Sequence, residues 1–224
     1  MNITDLTTNE MNQALAYILG LIYPLYKEKK IGEKQYILGS INHNPNMITS
    51  EELAEHFSSV NRLIEAYMKE TKPEIKSNSS SEFNISPKEG FTILIDRTDI
   101  DSQNSIEILN SLANKIKESN DEIKKMFVRG CFDGRASFDT TSKYLSIDVD
   151  RDYEKQDLIK EIIESLNIDI NLNRRERNHK KNDQIRIKKD SLEKFLKDID
   201  MFSIRRKTTI ENYIKESSGD VYEN

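Results

Sequence analysis

The chain has 224 residues, 36% of them hydrophobic and 33% charged, with seven glycines and a formal net charge of −5. That length and balance suit one or two globular domains with long helices and exclude a disordered or fibrous chain; the net acidity excludes a protein that binds nucleic acid over its whole surface. A single cysteine, Cys131, leaves no internal disulfide, and no Cys/His group has zinc-ligand spacing, so a cytoplasmic protein is expected.

In chain order, the first apolar run is "ALAYILGLIYPLY", Ala14 to Tyr26. It is shorter than the roughly 20 residues that span a bilayer and follows an acidic, polar start, so a buried helix is expected rather than a membrane span or a signal peptide. The helix must stop near Pro24, because a residue before proline disfavours helical angles. "KQYILGSI" predicts a strand. Thr49 with Glu52 matches a capping box, followed by Leu53, Phe57, Val60, Ile64 and Tyr67 at helical spacing. "KSNSSS", Lys76 to Ser81, reads as a polar loop, "SEFNIS" and "FTILIDR" as strands, and Ile106, Leu109, Ala113 and Ile116 mark a further helix.

From Asp121 the order is helix, strand, strand, helix, strand, strand, helix. "KYLSIDVD" alternates Leu145, Ile147 and Val149 with polar residues; "QDLIKEIIESLN" carries Leu158, Ile159, Ile162, Ile163 and Leu166 at helical spacing. "DINLNRRE" and "QIRIKK" alternate again as half-buried strands, and Asp190 with Glu193 forms a capping-box pattern ahead of Leu192, Phe195, Leu196 and Ile199. A basic tail with Arg205, Arg206 and Lys207 follows. The first half repeats this order, which predicts two similar domains, 1–119 and 120–224, of α+β class. The basic character is concentrated: Asp169 to Lys189 holds eight Lys and Arg against three acids.

Aligned on their glycines, the two halves open with "ILGLIY" around Gly20 and "VRGCFD" around Gly130. A glycine inside an apolar helix costs about 1 kcal/mol relative to alanine, so it needs a reason such as close approach of a second helix. Two such helices are expected to pack on each other across a pseudo-twofold axis, with Gly20 and Gly130 at the interface.

"FVRGCFDGRAS" and the repeated element order resemble the LAGLIDADG homing endonucleases, whose motif takes the form "FLRGLFDADGS", over nearly the whole chain. The resemblance implies two αββαββα domains, motif helices at the interface, and two antiparallel four-stranded sheets forming a saddle over DNA. It also implies a divalent metal held by the second acid of each motif. Here the first acid of the second motif falls on Asp133, but the ligand position falls on Arg135; in the first motif the two positions fall on Tyr23 and Leu25. Hydrolysis by a hard divalent metal needs oxygen ligands, and neither Leu25 nor Arg135 supplies one. A guanidinium at Arg135 suits a DNA phosphate instead.

The polar faces of the second-half strands present Asn171, Asn173, Arg175 and Arg177 beside Gln184, Arg186 and Lys188, the side-chain types that reach base edges from a β-ribbon in the major groove. The turn "RNHKKN", with Lys180 and Lys181, suits phosphates, as does the Arg205, Arg206 and Lys207 tail. On pattern alone such a face is equally a solvated surface; the resemblance favours binding. The matching first-half residues, Glu82, Asn84, Ser86, Thr92 and Asp96, are almost without positive charge, and Asp148 and Asp150 face the same way in the second half, so recognition is expected to be lopsided. His43, His56 and His179 form no set with a nucleophile, and Cys131 reads as a packing residue.

The favoured reading is a sequence-specific double-stranded-DNA-binding monomer with internal pseudo-symmetry, a lost nuclease centre, no cofactor and no membrane partner. The alternatives are a magnesium-dependent endonuclease with a displaced site, using Asp133 as catalytic and metal-binding acid with Asp148 or Asp150, and an RNA-binding splicing factor, since some members of the family resemble maturases.

Overall fold

The computed structural model describes residues 1–41, 49–77, 90–139, 141, 143–176 and 179–217. A short helix α1 (Asp5–Thr8) precedes α2 (Gln13–Ile22), the strands β1 (Glu28–Ile31) and β2 (Lys34–Ile41), helix α3 (Ser50–Tyr67), strands β3 (Glu74–Ser77) and β4 (Phe91–Asp96), and helix α4 (Ser102–Glu118). The second half runs α5 (Asp121–Arg135), β5 (Ala136–Asp139), β6 (Tyr144–Val149), α6 (Tyr153–Ser165), β7 (Ile170–Asn173), β8 (Asp183–Ile187), α7 (Leu192–Asp198) and α8 (Ile204–Ser217). Each half holds one antiparallel four-stranded sheet, and the strand order is the same in both, β1-β2-β4-β3 and β5-β6-β8-β7.

Helix α2 is apolar all round, and every residue from Ala14 to Ile22 is buried. Such a helix belongs at the centre of a core rather than on its surface. It begins at Asn12, whose side chain accepts from the Leu15 amide at 3.0 Å, and gives way at Tyr23 ahead of Pro24. Its partner is α5, capped by Asn120 in the same way at 3.1 Å. The two glycines lie at the crossing. A Cβ added to Gly20 would stand 2.1 Å from the Phe127 carbonyl oxygen, and one added to Gly130 would stand 2.2 Å from that of Tyr17. Ile37 and Ile41 of β2, with Phe91, Ile93 and Ile95 of β4, complete the core on one side; Leu145, Ile147, Val149, Ile170, Ile185 and Ile187 do so on the other. Among the described residues no helix is long and apolar enough to cross a membrane.

Several local expectations need correction. The capping box at Thr49 and Glu52 is present in both directions, but the one at Asp190 and Glu193 is replaced by a 3-10 turn over Lys189–Ser191, and no side chain caps α7. Lys76 and Ser77 are strand, not loop, because their backbones pair with Thr92 and Phe91 of β4; the strand predicted at "SEFNIS" lies outside the described residues. The basic tail is the first turn of helix α8. Strand β7 stops at Asn173, so Arg175 lies beyond the row it was expected to extend.

Candidate nucleic-acid interface and the ends of the paired helices

In the second sheet the inward positions are filled by isoleucine, leucine and valine, with Ala136 and Phe138 on β5 and the buried Asp183 at the start of β8, which fixes what the other face presents, because side chains alternate along a strand. Ser146, Arg186 and Asn171 stand in one cross-strand row, and Asp148, Gln184 and Asn173 in the next. The Gln184 amide donates to Asp148 Oδ1 at 3.1 Å and accepts from the Arg186 guanidinium at 3.0 and 3.3 Å. The guanidinium carbon of Arg186 lies 4.1 Å from the ring centroid of Tyr144. Lys188 is exposed and 3.9 Å from Asp169.

Beyond the strands, the β7–β8 connection is held from below. Asp183 is buried and accepts from the Arg175 amide at 2.9 Å and from the Gln156 side chain at 2.9 Å. Arg151 donates to the carbonyls of His179 and Lys181. This leaves Lys180 and Lys181 exposed on an anchored turn; Arg177 lies outside the described residues. Arg175 is half-buried with its Nε enclosed. Arg174 bonds Gln156 at 2.9 Å and Asp157 at 2.5 Å on α6, away from the strand rows.

The first sheet is different. Its matching face carries Tyr36, Leu38 and Ser40 opposite Asp96, Leu94 and Thr92, with Tyr36 and Leu94 buried. Of the cations there, Lys34 pairs with Asp96 and Lys76 with Glu74, each at 2.8 Å. Glu82, Asn84 and Ser86 lie outside the described residues.

At the end of α5, Asp133 is fully buried. Its carboxylate accepts from the Tyr17 hydroxyl at 3.1 Å and from the backbone amides of Phe202 at 3.2 Å and Ser203 at 3.3 Å. Arg206 donates to the Asp133 carbonyl oxygen, so it turns inward rather than toward a ligand. Arg129 donates to the Ile199 carbonyl at 2.7 Å and lies 4.8 Å from the Phe202 ring. Asp133 thus ties α2, α5 and the start of α8 together, with its oxygens enclosed by donors, a place unlike that of the displaced metal ligand on which the endonuclease alternative depends. Of the remaining tail residues, Arg205 is half-buried and Lys207 pairs with Asp200 at 2.9 Å.

Burial raises the Asp133 carboxyl from 3.8 to about 6, opposed by the Phe202 and Ser203 amides and by the Arg206 and Arg129 guanidiniums. The folded chain holds this proton more tightly than the unfolded chain. The group's contribution to stability is therefore fullest below about pH 4, falls as pH rises toward about 6, and is flat above, an effect of about 3 kcal/mol. The stability difference between the wild type and Asp133→Asn is expected to change by that order across this window in urea denaturation from pH 4 to 7.5. A constant difference would exclude an ionising carboxyl in this environment.

Arg135 ends α5, and its Nη2 donates to the Leu25 carbonyl at 3.2 Å. Burial pushes its guanidinium down while Asp148 pulls it up, and its charge in turn lowers the Lys27 ammonium, with partial burial adding to the effect. The two positions where the resemblance implies a metal ligand thus meet as a backbone carbonyl and a guanidinium, beside a lysine. These residues do not fit a divalent cation. Asp148 is engaged by Gln184, and Asp150 accepts from Lys155 Nζ. Among the described residues no group of three or more His, Cys, Asp or Glu is placed to hold a metal. His56 packs edge-on to Phe91 at 5.4 Å, and burial pushes the Cys131 thiol up, out of the range of a reactive thiolate.

Two αββαββα units with the same sheet order, joined through glycine-paired helices, define a LAGLIDADG endonuclease-like fold. Comparison with solved structures agrees. The chain superposes on the homing endonuclease I-DmoI in complex with DNA and manganese at a TM-score of 0.52 and 16% identity, over 85% of this chain and 98% of that one. Structures of mesophilic variants from I-DmoI give 0.51 and 16%, over 84% and 95%. Full-length DUF199/WhiA from Thermatoga maritima gives 0.51 and 14%, over 93% of this chain and 62% of that one. At such identities the likeness is one of fold. No protein-family model matches the chain, and no curated protein matches it in sequence.

Proposed function

We propose that this protein is a sequence-specific double-stranded-DNA-binding monomer that lays the β5–β8 sheet against the major groove, and that the nuclease centre of its fold has been lost. The observation that carries this reading is the open face of that sheet, where Asn171, Asn173, Gln184 and Arg186 stand in register with Lys180 and Lys181 on an anchored turn beside them. Arg, Asn and Gln are suited to base edges, and exposed lysines to the flanking phosphates. Arg135 and Lys27 place positive charge at the helix ends, where a phosphate is attracted and a metal repelled. The reading divides the chain near Ser119 into two units of unequal use, the second doing most of the recognition. The fold's DNA-bound relative supports a duplex as the ligand.

The test is equilibrium binding to duplex DNA over a salt series, with structured RNA as competitor. Binding with a steep loss of affinity at rising salt is expected, since each neutralised phosphate contributes about 0.9 to the logarithmic slope. Replacing Lys180 and Lys181 together by alanine is expected to weaken all duplexes about equally and lower that slope by roughly two. No binding at low salt sinks the proposal, and preference for structured RNA replaces it with an RNA-binding role. Intact DNA is expected after incubation with magnesium or manganese; cleavage that is abolished in Asp133→Asn, the variant that keeps the side chain's shape, while its fold is unchanged would restore the endonuclease reading.

A further inference from the structure

Glutamine on a sheet facing DNA is ordinarily read as an adenine contact, because its amide offers one acceptor and one donor to the N6 and N7 edge. Gln184 is not free to do this. Its carbonyl oxygen already accepts from both Nε and Nη2 of Arg186, and one hydrogen of its nitrogen is given to Asp148 Oδ1. Asp148 is exposed but fixed in register between Gln184 and the end of α5, where its charge also acts on Arg135. The Arg186 guanidinium also lies over the Tyr144 ring, its carbon 4.1 Å from the ring centroid. A planar guanidinium held on one face by an aromatic ring and on one edge by a fixed amide has little rotamer freedom left to lose. Apart from the exposed Asp148 carboxylate, what the cluster has left to offer is hydrogen-bond donors: the remaining N–H groups of Arg186 and the second amide hydrogen of Gln184. The acceptor-only edge in the major groove is that of guanine, through O6 and N7.

We propose that Arg186 is a specificity-determining residue that reads one guanine, and that Tyr144, Gln184 and Asp148 are positioning residues that fix its donors; this rests on the duplex-binding reading given above. The proposal removes Gln184 from direct base reading and gives Asp148, an acid on a DNA-facing surface, a defined purpose. Without Asp148 the Gln184 amide would be free to flip and present its oxygen elsewhere, and Arg186 would lose its edge contact.

A selection on randomised duplexes with the full chain and with Arg186→Ala, Arg186→Lys and Tyr144→Leu tests it, each variant first checked for an unchanged thermal transition. The wild type is expected to enrich a motif with at least one fixed guanine. In Arg186→Ala that position loses its preference by roughly tenfold or more, while other positions keep theirs and the salt slope falls by no more than about one. Arg186→Lys, which keeps the charge and loses the fork, is expected to lose most of the preference as well, and Tyr144→Leu several-fold of it. An unchanged guanine preference in Arg186→Ala, or an equal loss at every position, overturns the assignment and makes Arg186 a phosphate contact or a bystander. Absence of wild-type binding at low salt overturns the duplex-binding reading and this inference with it, whereas binding with no guanine dependent on Arg186 overturns this inference alone.

Discussion

Gly130→Ala is expected to lower the stability of the fold by about 3 kcal/mol or more, although alanine in a helix interior is intrinsically better than glycine by about 1 kcal/mol. The reversal of sign comes from the crossing of α2 and α5. The added methyl would stand 2.2 Å from a backbone oxygen and 3.1 Å from the Gly20 Cα, neither of which can rotate away. The helices must separate along a seam that carries Tyr17, Leu21, Phe127 and Cys131, all fully buried, and both sheets are docked to those helices. Gly20→Ala meets the Phe127 carbonyl in the same way, and the double variant is expected to cost less than the two single costs together, because one separation relieves both clashes. Gly32→Ala is the control: it sits at φ +62 with nothing within 4 Å of a Cβ, so it is expected to cost only about 1 kcal/mol of backbone strain. Urea denaturation followed by circular dichroism separates the cases. A Gly130→Ala cost no larger than that of Gly32→Ala would remove the argument for close helix contact.

That glycine pair was legible in the sequence because a residue that weakens a helix stood twice inside apolar runs. Strand β2 was legible over its full length, and so was the row of Asn171, Asn173, Gln184 and Arg186, because a core face forces alternation on its opposite face. Strand β1 was missed because "EKKI" is exposed at all four positions and is held by backbone pairing to β2, which leaves no pattern to read. Arg206 was misjudged, and the partners of Asp133 went unread, for one physical reason. A run of Arg205, Arg206 and Lys207 looks like a solvated basic tail; only the fold brings Arg206 and the amides of Phe202 and Ser203 onto Asp133. The same holds for Gln184, whose amide orientation is set by Asp148 on another strand. Local periodicity encodes which face a residue occupies, while its partners on that face depend on chain segments far away.

The role of Asp133 has a consequence large enough to measure against the catalytic alternative. A carboxylate kept for metal binding stands among like charges or open to water, and replacing it in the metal-free protein leaves stability unchanged or raises it. Asp133 instead accepts from a buried hydroxyl and two backbone amides. Asp133→Ala strips all three donors of their acceptor and opens a cavity, and an orphaned buried donor costs about 1–3 kcal/mol. At pH 4, where the carboxyl is protonated in the folded chain and its burial costs little, the variant is expected to lose at least about 3 kcal/mol. Asp133→Asn preserves the shape and part of the hydrogen bonding and is expected to lose less than half as much. The amides of Phe202 and Ser203 are expected to exchange with solvent faster in Asp133→Ala, because the start of α8 loses its tie to α5, while the α2–α5 seam around Gly20 keeps its protection. Stability equal to or above the wild type would identify Asp133 as an acid retained for a ligand; loss centred on α8 identifies it as the residue that holds the last helix to the paired helices.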